Sequence, residues 1–419
     1  MTYGPIDRCQ ISGSKNLLPV IFLGYLPPVT TMRSIDSRPE PESRFPAEVF
    51  YCPESHLVQL GLVVDPHILF HSDYPYTSGS TRVLRENFAN LHNEVDALVG
   101  LKADELVVDI GSNDGTLLDN FLKGSHRVLG IEPTQNGEAA RSRGIPTLTA
   151  FFNRESVAQA KAQYGRPKVI TAANVFAHMH NIHDVVDCVE ELLDPEGVFV
   201  SESHYVGSVV ETLQYDTIYH EHLRYYSVHS LKYLLDAHGF RIFHVTRIPT
   251  HGGSIRVYAS KSRHYKTDET VAQMLRGEVE AGLISDQWIE PFRRRVIASK
   301  LALHELIGPI KREAKAIYGI GAPARSTTLI SYVGLDDGIL DCVLEVKGSR
   351  KIGRYVPGTN IPVLDEAKLY AEQPPYAMLL SWHIADELCR NLKRNGFRGD
   401  FIVPLPSPRI VRNREVMAT

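Results

Sequence analysis

Residues 106–118 read LVVDIGSNDGTLL, and this stretch decides the fold of the 419-residue chain. A short apolar run contains Asp109 near its end, and Gly111 and Gly115 follow before a second apolar run begins. Glycine lets the backbone turn tightly from a strand into a helix and approach a ligand closely. The stretch therefore predicts a strand, a glycine turn and a helix, with Asp109 placed to accept hydrogen bonds from an amine or hydroxyl group.

The same alternation of apolar runs and helical stretches continues along the chain. RVLGIEPT (127–134), KVITAANVF (168–176) and GVFVSES (197–203) are each followed by a loop and a helix-like segment. Strands and helices in alternation predict a parallel, doubly wound α/β sheet. The rhythm returns in four further runs from about 316 to 404, which predicts a second, smaller α/β unit.

We divide the chain into four ranges: 1–75, 76–264, 265–313 and 314–419. Ten of the 25 prolines lie in the first range, so it cannot be mostly helical. Leu84, Phe88, Leu91, Val95 and Leu98 recur at spacings of three and four, which predicts an amphipathic helix from 76 to about 100. The third range has almost no glycine or β-branched runs and reads as a helical connector.

Composition excludes several function classes. The 45 Lys and Arg residues are balanced by 49 Asp and Glu, for a net charge of −4, so we expect no nucleic-acid partner and no attraction to an anionic membrane. No apolar run reaches the roughly 18 residues of a membrane span, and the start MTYGPIDRCQ lacks the features of a signal peptide. The five scattered cysteines do not suit a disulfide framework. We expect a cytoplasmic protein with reduced thiols.

The glycine motif favours a nucleoside ligand without phosphate. Glu132 ends the second run, where its carboxylate could hold both ribose hydroxyls. A dinucleotide fingerprint needs G-x-G-x-x-G, which fails here, and Asp114 would add negative charge beside a pyrophosphate. D-x-G-x-x-x-G resembles the motif of S-adenosylmethionine-dependent methyltransferases, whose cofactor carries a sulfonium cation. The alternative is a surface turn with an acidic helix cap. The candidate cofactor-binding residues are Asp109, Gly111, Asn113, Gly115, Glu132 and Asn174.

Histidines are concentrated in the second range. Ten of the 18 lie between 178 and 251, and DTIYHEHLRYYS (216–227) combines histidine, glutamate and tyrosine. Such groups move protons near neutral pH and donate hydrogen bonds to an oxyanion. The spacing is not H-E-x-x-H, which argues against a metalloprotease. A single histidine is more often structural than catalytic, but the clustering favours an active site.

Two further glycine turns carry arginines. HGGSIRVY (251–258) places Arg256 where it could pair with a phosphate or carboxylate, although a hairpin with a surface arginine is the plainer interpretation. YGIGAPARSTT (318–328) places Arg325 at a strand-to-helix turn suited to an anionic group. An ordinary turn of an α/β platform explains the second motif equally well.

Taken together, seven strings resemble the sugar-nucleotide C-methyltransferases, in particular the tetronitrose C-3 methyltransferase type. The match runs in order from about Leu23 to about Trp382, and the strings that carry it are GSNDGTLL, GIEPT, NVFAHM, DTIYHEHLRYYS, HGGSIRVY, YGIGAPAR and RYVPGTNIPV. The resemblance implies an α/β chain with a small N-terminal zinc-ribbon-like domain, a central S-adenosylmethionine-dependent methyltransferase sheet and a C-terminal Rossmann-like domain.

The N-terminal range departs from that family, whose members open with two C-x-x-C pairs forming a thiolate zinc site. Here the pairs read CQIS, Cys9 with Ser12, and CPES, Cys52 with Ser55. His56 could restore at most one ligand, so we expect the ribbon without zinc and predict no metal-ligating residue. Arg325 also stands where the family usually has lysine.

The resemblance implies methylation of the carbon next to the ketone of a nucleotide-linked 4-keto-6-deoxy sugar, with carbon 3 the expected position. The nucleotide stays open among thymidine, guanosine and cytidine diphosphates, and we expect a monomer or small homo-oligomer. The implied catalytic residues are His222 as the base, Glu221, Tyr219 and His178. The implied substrate-binding residues are Tyr74, Tyr76, His220, His251, Ser254, Arg256 and Arg325.

Two alternatives remain open at this point. In the first, YGIGAPA holds a dinucleotide and the chain is an NAD-dependent nucleotide-sugar dehydrogenase or epimerase, although the turn lacks a third correctly placed glycine. In the second, the broken cysteine pairs mark a catalytically silent binding homologue. The intact YHEH and HGGS strings and the acidic cofactor positions weigh against the second alternative.

Overall fold

The computed structural model describes residues 3–70, 74 and 76–416. The chain forms two compact units. The first comprises Met1–Pro19, Phe50–Gly207 and Glu221–Asp286, and the second comprises Val20–Val49, Ser208–His220 and Gln287–Thr419. Both units combine segments that are distant in sequence, whereas the predicted ranges are continuous.

The described residues form short strands and helices that alternate through most of the chain. The strands are β1 Gly4–Pro5, β2 Leu18–Leu26, β3 Phe45–Cys52, β4 Leu57–Leu60, β5 Leu62–Val63, β6 Leu106–Ile110, β7 Arg127–Ile131, β8 Thr147–Leu148, β9 Val169–Ala173, β10 Val198–His204, β11 Arg224–Tyr225, β12 Arg241–Ile248, β13 Ser254–Ser260, β14 Ile317–Ile320, β15 Cys342–Glu345, β16 Arg354–Tyr355, β17 Pro362–Asp365, β18 Tyr376–Leu379, β19 Asp400–Val403 and β20 Arg409–Val411. The helices are α1 Pro66–Leu69, α2 Arg82–Val99, α3 Thr116–Lys123, α4 Asn136–Ser142, α5 Arg154–Tyr164, α6 Ile182–Leu192, α7 Val206–Glu211, α8 Val228–Ala237, α9 Glu269–Glu280, α10 Ile289–Arg312, α11 Ala324–Val333, α12 Ala367–Glu372 and α13 Ala385–Arg394.

The first unit contains a seven-stranded sheet in the order β12-β13-β10-β9-β6-β7-β8. Strands β6 to β10 are mutually parallel, and Asp109 on β6 is in register with Gly130 on β7 and Thr171 on β9. From β6 the chain adds β7 and β8 on one side of this strand, and it then adds β9 and β10 on the opposite side. Ligands of such folds bind where the order reverses, at the carboxyl ends of the central strands.

One strand of this sheet differs from the parallel arrangement that the sequence predicts. Strand β13 is antiparallel to both β10 and β12. The connection from β12 to β13 is the short glycine turn at residues 249–253, and a connection of this length can join only antiparallel neighbours. The HGGS motif is therefore the tip of a hairpin at the edge of the sheet.

The predicted amphipathic helix is confirmed as α2, although it begins at Arg82 rather than 76. The Thr81 side chain accepts a hydrogen bond from the Leu84 amide and so starts the helix, and Gly100 ends it with a φ of 66°. The apolar face of α2 is buried in a core that also includes α3 and the sheet, with Phe88, Leu91 and Val95 among its residues.

The second unit contains another seven-stranded sheet, in the order β16-β17-β15-β14-β18-β19-β20. Five strands are parallel and the two edge strands, β16 and β20, are antiparallel. This is the predicted Rossmann-like domain. The predicted connector consists of α9 in the first unit and α10 in the second. Within the described part of the chain, no helix has both the length and the apolar character required to cross a membrane.

Candidate active site

The turn after β6 adopts backbone conformations that require glycine. Gly111 has a φ of 66°, and a Cβ atom there would lie 2.7 Å from Cγ2 of Val175. Gly115 has a φ of 76° and caps α3, where a Cβ would lie 2.7 Å from Cδ1 of Ile145. Neither position has room for a side chain and both have a positive φ, so this turn at the carboxyl end of β6 requires glycine at both.

Three buried carboxyl groups lie on the central strands of the sheet or directly after them: Asp109 on β6, Glu132 after β7 and Glu202 on β10. Oδ1 of Asp109 accepts a 2.6 Å hydrogen bond from the Thr171 hydroxyl. Burial raises the pKa of Asp109 to about 8, and the charges of Glu132 and Glu202 act in the same direction. A cationic ligand next to Asp109 would favour the ionised form of this carboxyl group and lower its pKa again.

Glu132 is held in place by the chain around it. Its Oε2 accepts from the Asn113 amide at 2.9 Å, and its Oε1 accepts from the Thr134 amide at 2.9 Å and the Thr134 hydroxyl at 2.5 Å. Asn113 has a φ of 50°, which turns its backbone toward this carboxylate. Each carboxylate oxygen has two lone pairs, so Oε2 can still accept from a ligand hydroxyl.

Several polar atoms at this end of the sheet are buried without hydrogen-bond partners among the described residues. They are Oγ of Ser112 after β6, Oδ1 of Asn174 after β9 and Oγ of Ser203 in β10. Buried polar groups are nearly always paired in folded proteins, so these three indicate a polar ligand. S-adenosylmethionine fits, because it offers ammonium, carboxylate and ribose hydroxyl groups to a site rich in carboxyls.

The segment before α2 is tied directly to the glycine motif. The Ser78 amide donates to Oδ1 of Asn113 at 2.9 Å, and the Gly79 amide donates to Oδ2 of Asp114 at 2.9 Å. In return, Nδ2 of Asn113 donates to the Tyr76 carbonyl at 3.2 Å. The structure thus places Tyr76, predicted to bind substrate, beside the predicted cofactor site.

Tyr74 and Glu221 are brought together across 147 positions of sequence. The Tyr74 hydroxyl donates to Oε2 of Glu221 at 2.8 Å. A carboxylate only accepts hydrogen bonds, so the Tyr74 hydroxyl is the donor. The bond fixes the orientation of both side chains. The predicted aromatic residue from the N-terminal side and the glutamate of the YHEH string therefore belong to one arrangement.

Four imidazole rings form a row in the first unit: His178, His222, His204 and His251. The ring centroids are 4.9 Å apart for His178 and His222, 4.7 Å for His222 and His204, and 5.4 Å for His204 and His251. Burial, with the nearby charges of Arg224 and His251, lowers the pKa of His178 to about 3. His178 is therefore a neutral imidazole at physiological pH, and it stacks on Phe70 at 5.8 Å.

His204 is the member of this row that sequence reasoning missed. It is the last residue of β10 and follows directly after the apolar run GVFVSES. The signal was available, because the carboxyl end of a parallel strand lies at the ligand-binding edge of such a sheet. A lone histidine at the end of a strand has no motif around it, so only the topology identifies it.

Arg256 and Ser254, predicted to bind substrate, are occupied within the protein. Arg256 is fully buried, and its guanidinium donates to Oε1 of Glu202 at 2.6 Å, to Oδ1 of Asn90 at 3.0 Å and to Glu94. The buried Ser254 hydroxyl donates to the Thr250 carbonyl at 3.1 Å. Neither side chain is left free for a ligand, so we do not retain them as substrate contacts.

The remaining predicted residues belong to the second unit. Arg325 forms a two-point ion pair with the buried Asp216, at 2.8 and 2.7 Å, which neutralises the charge expected to bind an anion. His220 is hydrogen bonded to the Pro46 carbonyl at 3.1 Å. Tyr219, its neighbour, is buried. The YHEH string thus divides between the units, with Glu221 and His222 in the first.

Cys9, Ser12, Cys52 and Ser55 lie close together, as the four zinc-binding cysteines implied by the family resemblance would. Sγ of Cys9 lies 3.1 Å from Oγ of Ser55, and Sγ of Cys52 lies 3.5 Å from Oγ of Ser12. His56 contributes no ligand here, since its Nδ1 is hydrogen bonded to the Tyr51 hydroxyl at 3.0 Å. Two thiols and two hydroxyls do not suit a zinc ion, and hydrogen bonds occupy the four positions.

Comparisons with known proteins agree with this arrangement. Residues 9–70 match a family model described as a zinc binding domain, 83–245 match a methyltransferase domain and 249–406 match a C-methyltransferase C-terminal domain. The chain is 31% identical over 412 residues to C-methyltransferase NovU of Streptomyces niveus, which covers 97% of either chain.

Solved methyltransferase structures are more distant. Magnesium protoporphyrin IX methyltransferase from Synechocystis PCC 6803, solved with bound S-adenosylhomocysteine, is 16% identical and matches 42% of this chain and 83% of its own with a TM-score of 0.34. The glycopeptide N-methyltransferase MtfA is 15% identical and matches 42% of this chain and 96% of its own, also with a TM-score of 0.34.

The strand order and the glycine turn define the first unit as a class I S-adenosylmethionine-dependent methyltransferase fold. The whole-length match places the chain more narrowly: it belongs to the C-methyltransferase family that includes NovU. The family is that of enzymes that transfer methyl groups to carbon, so the NAD-dependent dehydrogenase or epimerase considered from the sequence is not supported.

Proposed function

We propose that this C-methyltransferase methylates the carbon next to the ketone of a nucleotide-linked 4-keto-6-deoxy sugar, with carbon 3 the expected position. The observation that carries the proposal is the row of four histidines, joined in the same unit by the Tyr74–Glu221 pair. Transfer to carbon needs a carbanion, and a ketone makes the neighbouring C–H acidic enough for a side-chain base to remove the proton.

His222 is the proposed base. It is 4% exposed and lies between His178 and His204, so a proton that it takes up is shielded from bulk water. The C–H bond breaks, the proton passes to the imidazole and the electron pair is delocalised onto the ketone oxygen as an enolate. The resulting positive charge on His222 favours the enolate electrostatically.

The neighbouring residues position these groups. Glu221, fixed by the Tyr74 hydroxyl, is proposed to orient the base, while the neutral His178 can donate one ring N–H toward the enolate oxygen. The resemblance also implies a hydrogen bond from Tyr219 to the sugar or to the developing oxyanion, and we keep that assignment as part of the proposal. S-adenosylmethionine, when bound near Asp109, Glu132 and Asn174, supplies the electrophilic methyl group. The proposal leaves out Arg256, Ser254, His220 and Arg325.

Mass spectrometry of a substrate panel tests the proposal. The purified chain, S-adenosylmethionine and 4-keto-6-deoxy sugars carried on thymidine, guanosine or cytidine diphosphate should give a product heavier by one methylene. The matched control is the same sugar reduced to the 4-hydroxyl, which lacks an acidic C–H and should stay unmethylated. Methylation of the reduced sugar would contradict the enolate mechanism, and S-adenosylhomocysteine binding without turnover on any sugar would favour the silent homologue.

A further inference from the structure

A second group of titratable side chains lies at the opposite edge of the methyltransferase sheet. His92 and Asp96 are one turn apart on α2, and His126 immediately precedes β7, so the group faces the amino ends of the parallel strands. Each of the three offers one possible metal-ligand atom, and these atoms all lie within 4.8 Å of one another. No other group of three or more histidine, cysteine, aspartate or glutamate side chains among the described residues meets this distance.

The spacing suits a metal ion better than hydrogen bonds. Nε2 of His92 lies 3.6 Å from Oδ2 of Asp96, and Nε2 of His126 lies 3.7 Å from Oδ1 of Asp96. Both distances exceed hydrogen-bond length. Ligands at 2.0–2.1 Å in a tetrahedral zinc site are about 3.3 Å apart, so small side-chain movements would complete such a site.

Unpaired atoms point into the same space. Nε2 of His92 and Oδ1 of Asp96 are buried and have no hydrogen-bond partner among the described residues. The second imidazole, that of His126, has a partner on the side that faces away from the cluster. Its Nδ1 lies 3.1 Å from the Lys102 carbonyl. A carbonyl can only accept, so Nδ1 carries the proton and Nε2 presents its lone pair to the cluster, as in metal-bound histidines.

Gly124 leaves room beside the cluster. A Cβ atom there would lie 2.9 Å from Nε2 of His92 and 3.3 Å from Nε2 of His126. The φ of Gly124 is −75°, an ordinary value that any residue adopts, so the backbone does not require glycine at this position. The absence of a side chain instead keeps space in front of the two nitrogen atoms.

We infer that His92, Asp96 and His126 bind a divalent transition metal, with zinc the best match. Two imidazoles favour zinc over magnesium or calcium, which prefer oxygen ligands. Asp96 is 42% exposed, so a fourth position is open to water. The ion would link α2 to the start of β7 and stabilise the first unit, in a role separate from methyl transfer and from the N-terminal cysteines.

Zinc titration of the chelator-treated full-length protein tests this inference. Zinc, but not magnesium, should bind at one ion per chain and raise the thermal unfolding midpoint with increasing concentration. His126→Gln and His92→Gln should lose both effects, whereas the Cys9→Ser/Cys52→Ser variant should keep them. Zinc binding that survives both histidine changes, or that disappears with the cysteines, would overturn the inference.

Two further measurements do not depend on the stability of the histidine variants. Cobalt(II) bound to the wild type should show a d–d spectrum without a sulfur-to-metal charge-transfer band, because no thiolate is a ligand. Gly124→Ala keeps all three ligands but crowds the site, so its zinc affinity should fall while the metal-free protein unfolds at the wild-type temperature. A charge-transfer band, or unchanged zinc affinity in Gly124→Ala, would count against the site.

Discussion

His222 is buried and lies 4.9 Å from His178 and 4.7 Å from His204, ring centre to ring centre. A positioned general base contributes roughly 10²- to 10⁴-fold to rate. His222→Asn roughly keeps the shape of the side chain but removes the base. We expect methyl transfer to fall by that factor while S-adenosylhomocysteine binding, measured by calorimetry, stays at the wild-type level.

Deuterium exchange separates proton removal from positioning. With S-adenosylhomocysteine in place of the methyl donor, the wild type in heavy water should wash deuterium into the carbon next to the ketone, and His222→Asn should not. The exposed His264 offers a control, because His264→Asn makes the same chemical change away from the row. Exchange at the wild-type rate in His222→Asn would move the role of base to His178 or His204.

Glu132 gives a prediction about cofactor binding. A charge-assisted hydrogen bond from a ribose hydroxyl is worth on the order of 1.5–3 kcal/mol, so Glu132→Gln should weaken S-adenosylhomocysteine roughly 10- to 100-fold. Glutamine is preferable to alanine here, since alanine would also leave the buried Asn113 and Thr134 amides without an acceptor. The exposed Glu138 on α4 supplies the control Glu138→Gln, which should bind normally. Equal affinity in both variants would place the ribose elsewhere.

Asp109 gives a prediction about pH. Its pKa is raised to about 8 in the folded chain, against about 3.9 when unfolded. Between these values the folded state holds a proton that the unfolded state has released, so this residue's contribution to stability falls as the pH rises. Relative to wild type, ligand-free Asp109→Asn should therefore gain stability from about pH 5 to about pH 8, at up to about 1.4 kcal/mol per pH unit. Urea unfolding across this range would show a pH-independent difference if Asp109 were already ionised.

At the level of elements, the segments 9–12 and 52–55 of the N-terminal range hold two cysteines and two serines where a zinc site would have four thiolates. Sulfur atoms around a tetrahedral zinc are about 3.8 Å apart, close to the 3.1 and 3.5 Å that separate the present pairs. Ser12→Cys/Ser55→Cys should therefore create a tight zinc site. In a His126→Gln background, cobalt should then give a thiolate charge-transfer band that is missing without the two new cysteines. If the band fails to appear, the backbone of these loops also differs from that of a zinc site, and the loss of two cysteines is not the only change.

Elements set by local pattern were predictable from the sequence. The spacing of Leu84, Phe88, Leu91 and Val95 specifies α2, and the glycines after β6 specify the turn, because each depends on residues a few positions apart. The antiparallel β13 was not predicted, since a single strand carries no mark of its direction. Its direction follows from the short turn that joins it to β12.

Long-range pairing limited prediction of the site. The sequence shows Arg256 as a free cation, but its partners Glu94 and Asn90 come from α2, more than 160 positions away. The same limit hid His204, which gains its neighbours His222 and His251 only when the sheet is folded. Residue types and motifs therefore predicted the chemistry, while tertiary pairing decides which of those residues remain available for it.

At the scale of the whole molecule, the described residues include two seven-stranded α/β sheets, each with a glycine turn at the end of its first parallel strand. We expect the turn of the first unit, and not that of the second, to bind a nucleoside. In the second unit, the Ala322 amide donates to Oε1 of Glu345 at 2.6 Å, and Arg325 is neutralised by Asp216. A pyrophosphate at that turn would compete with a carboxylate for the amide and would meet its negative charge.

The chain should therefore bind one adenosyl ligand and no dinucleotide. Calorimetry should give one S-adenosylhomocysteine per chain, and NADH should show no saturable change in fluorescence at the same protein concentration. Glu132→Gln distinguishes the two sheets, because it should weaken S-adenosylhomocysteine while leaving the response to NADH at zero. Saturable NADH binding that persists in Glu132→Gln would assign the dinucleotide to the second sheet and restore the dehydrogenase alternative. Competition between NADH and S-adenosylhomocysteine would instead mean that the first site tolerates a pyrophosphate despite Asp114, contrary to the charge argument made from the glycine motif.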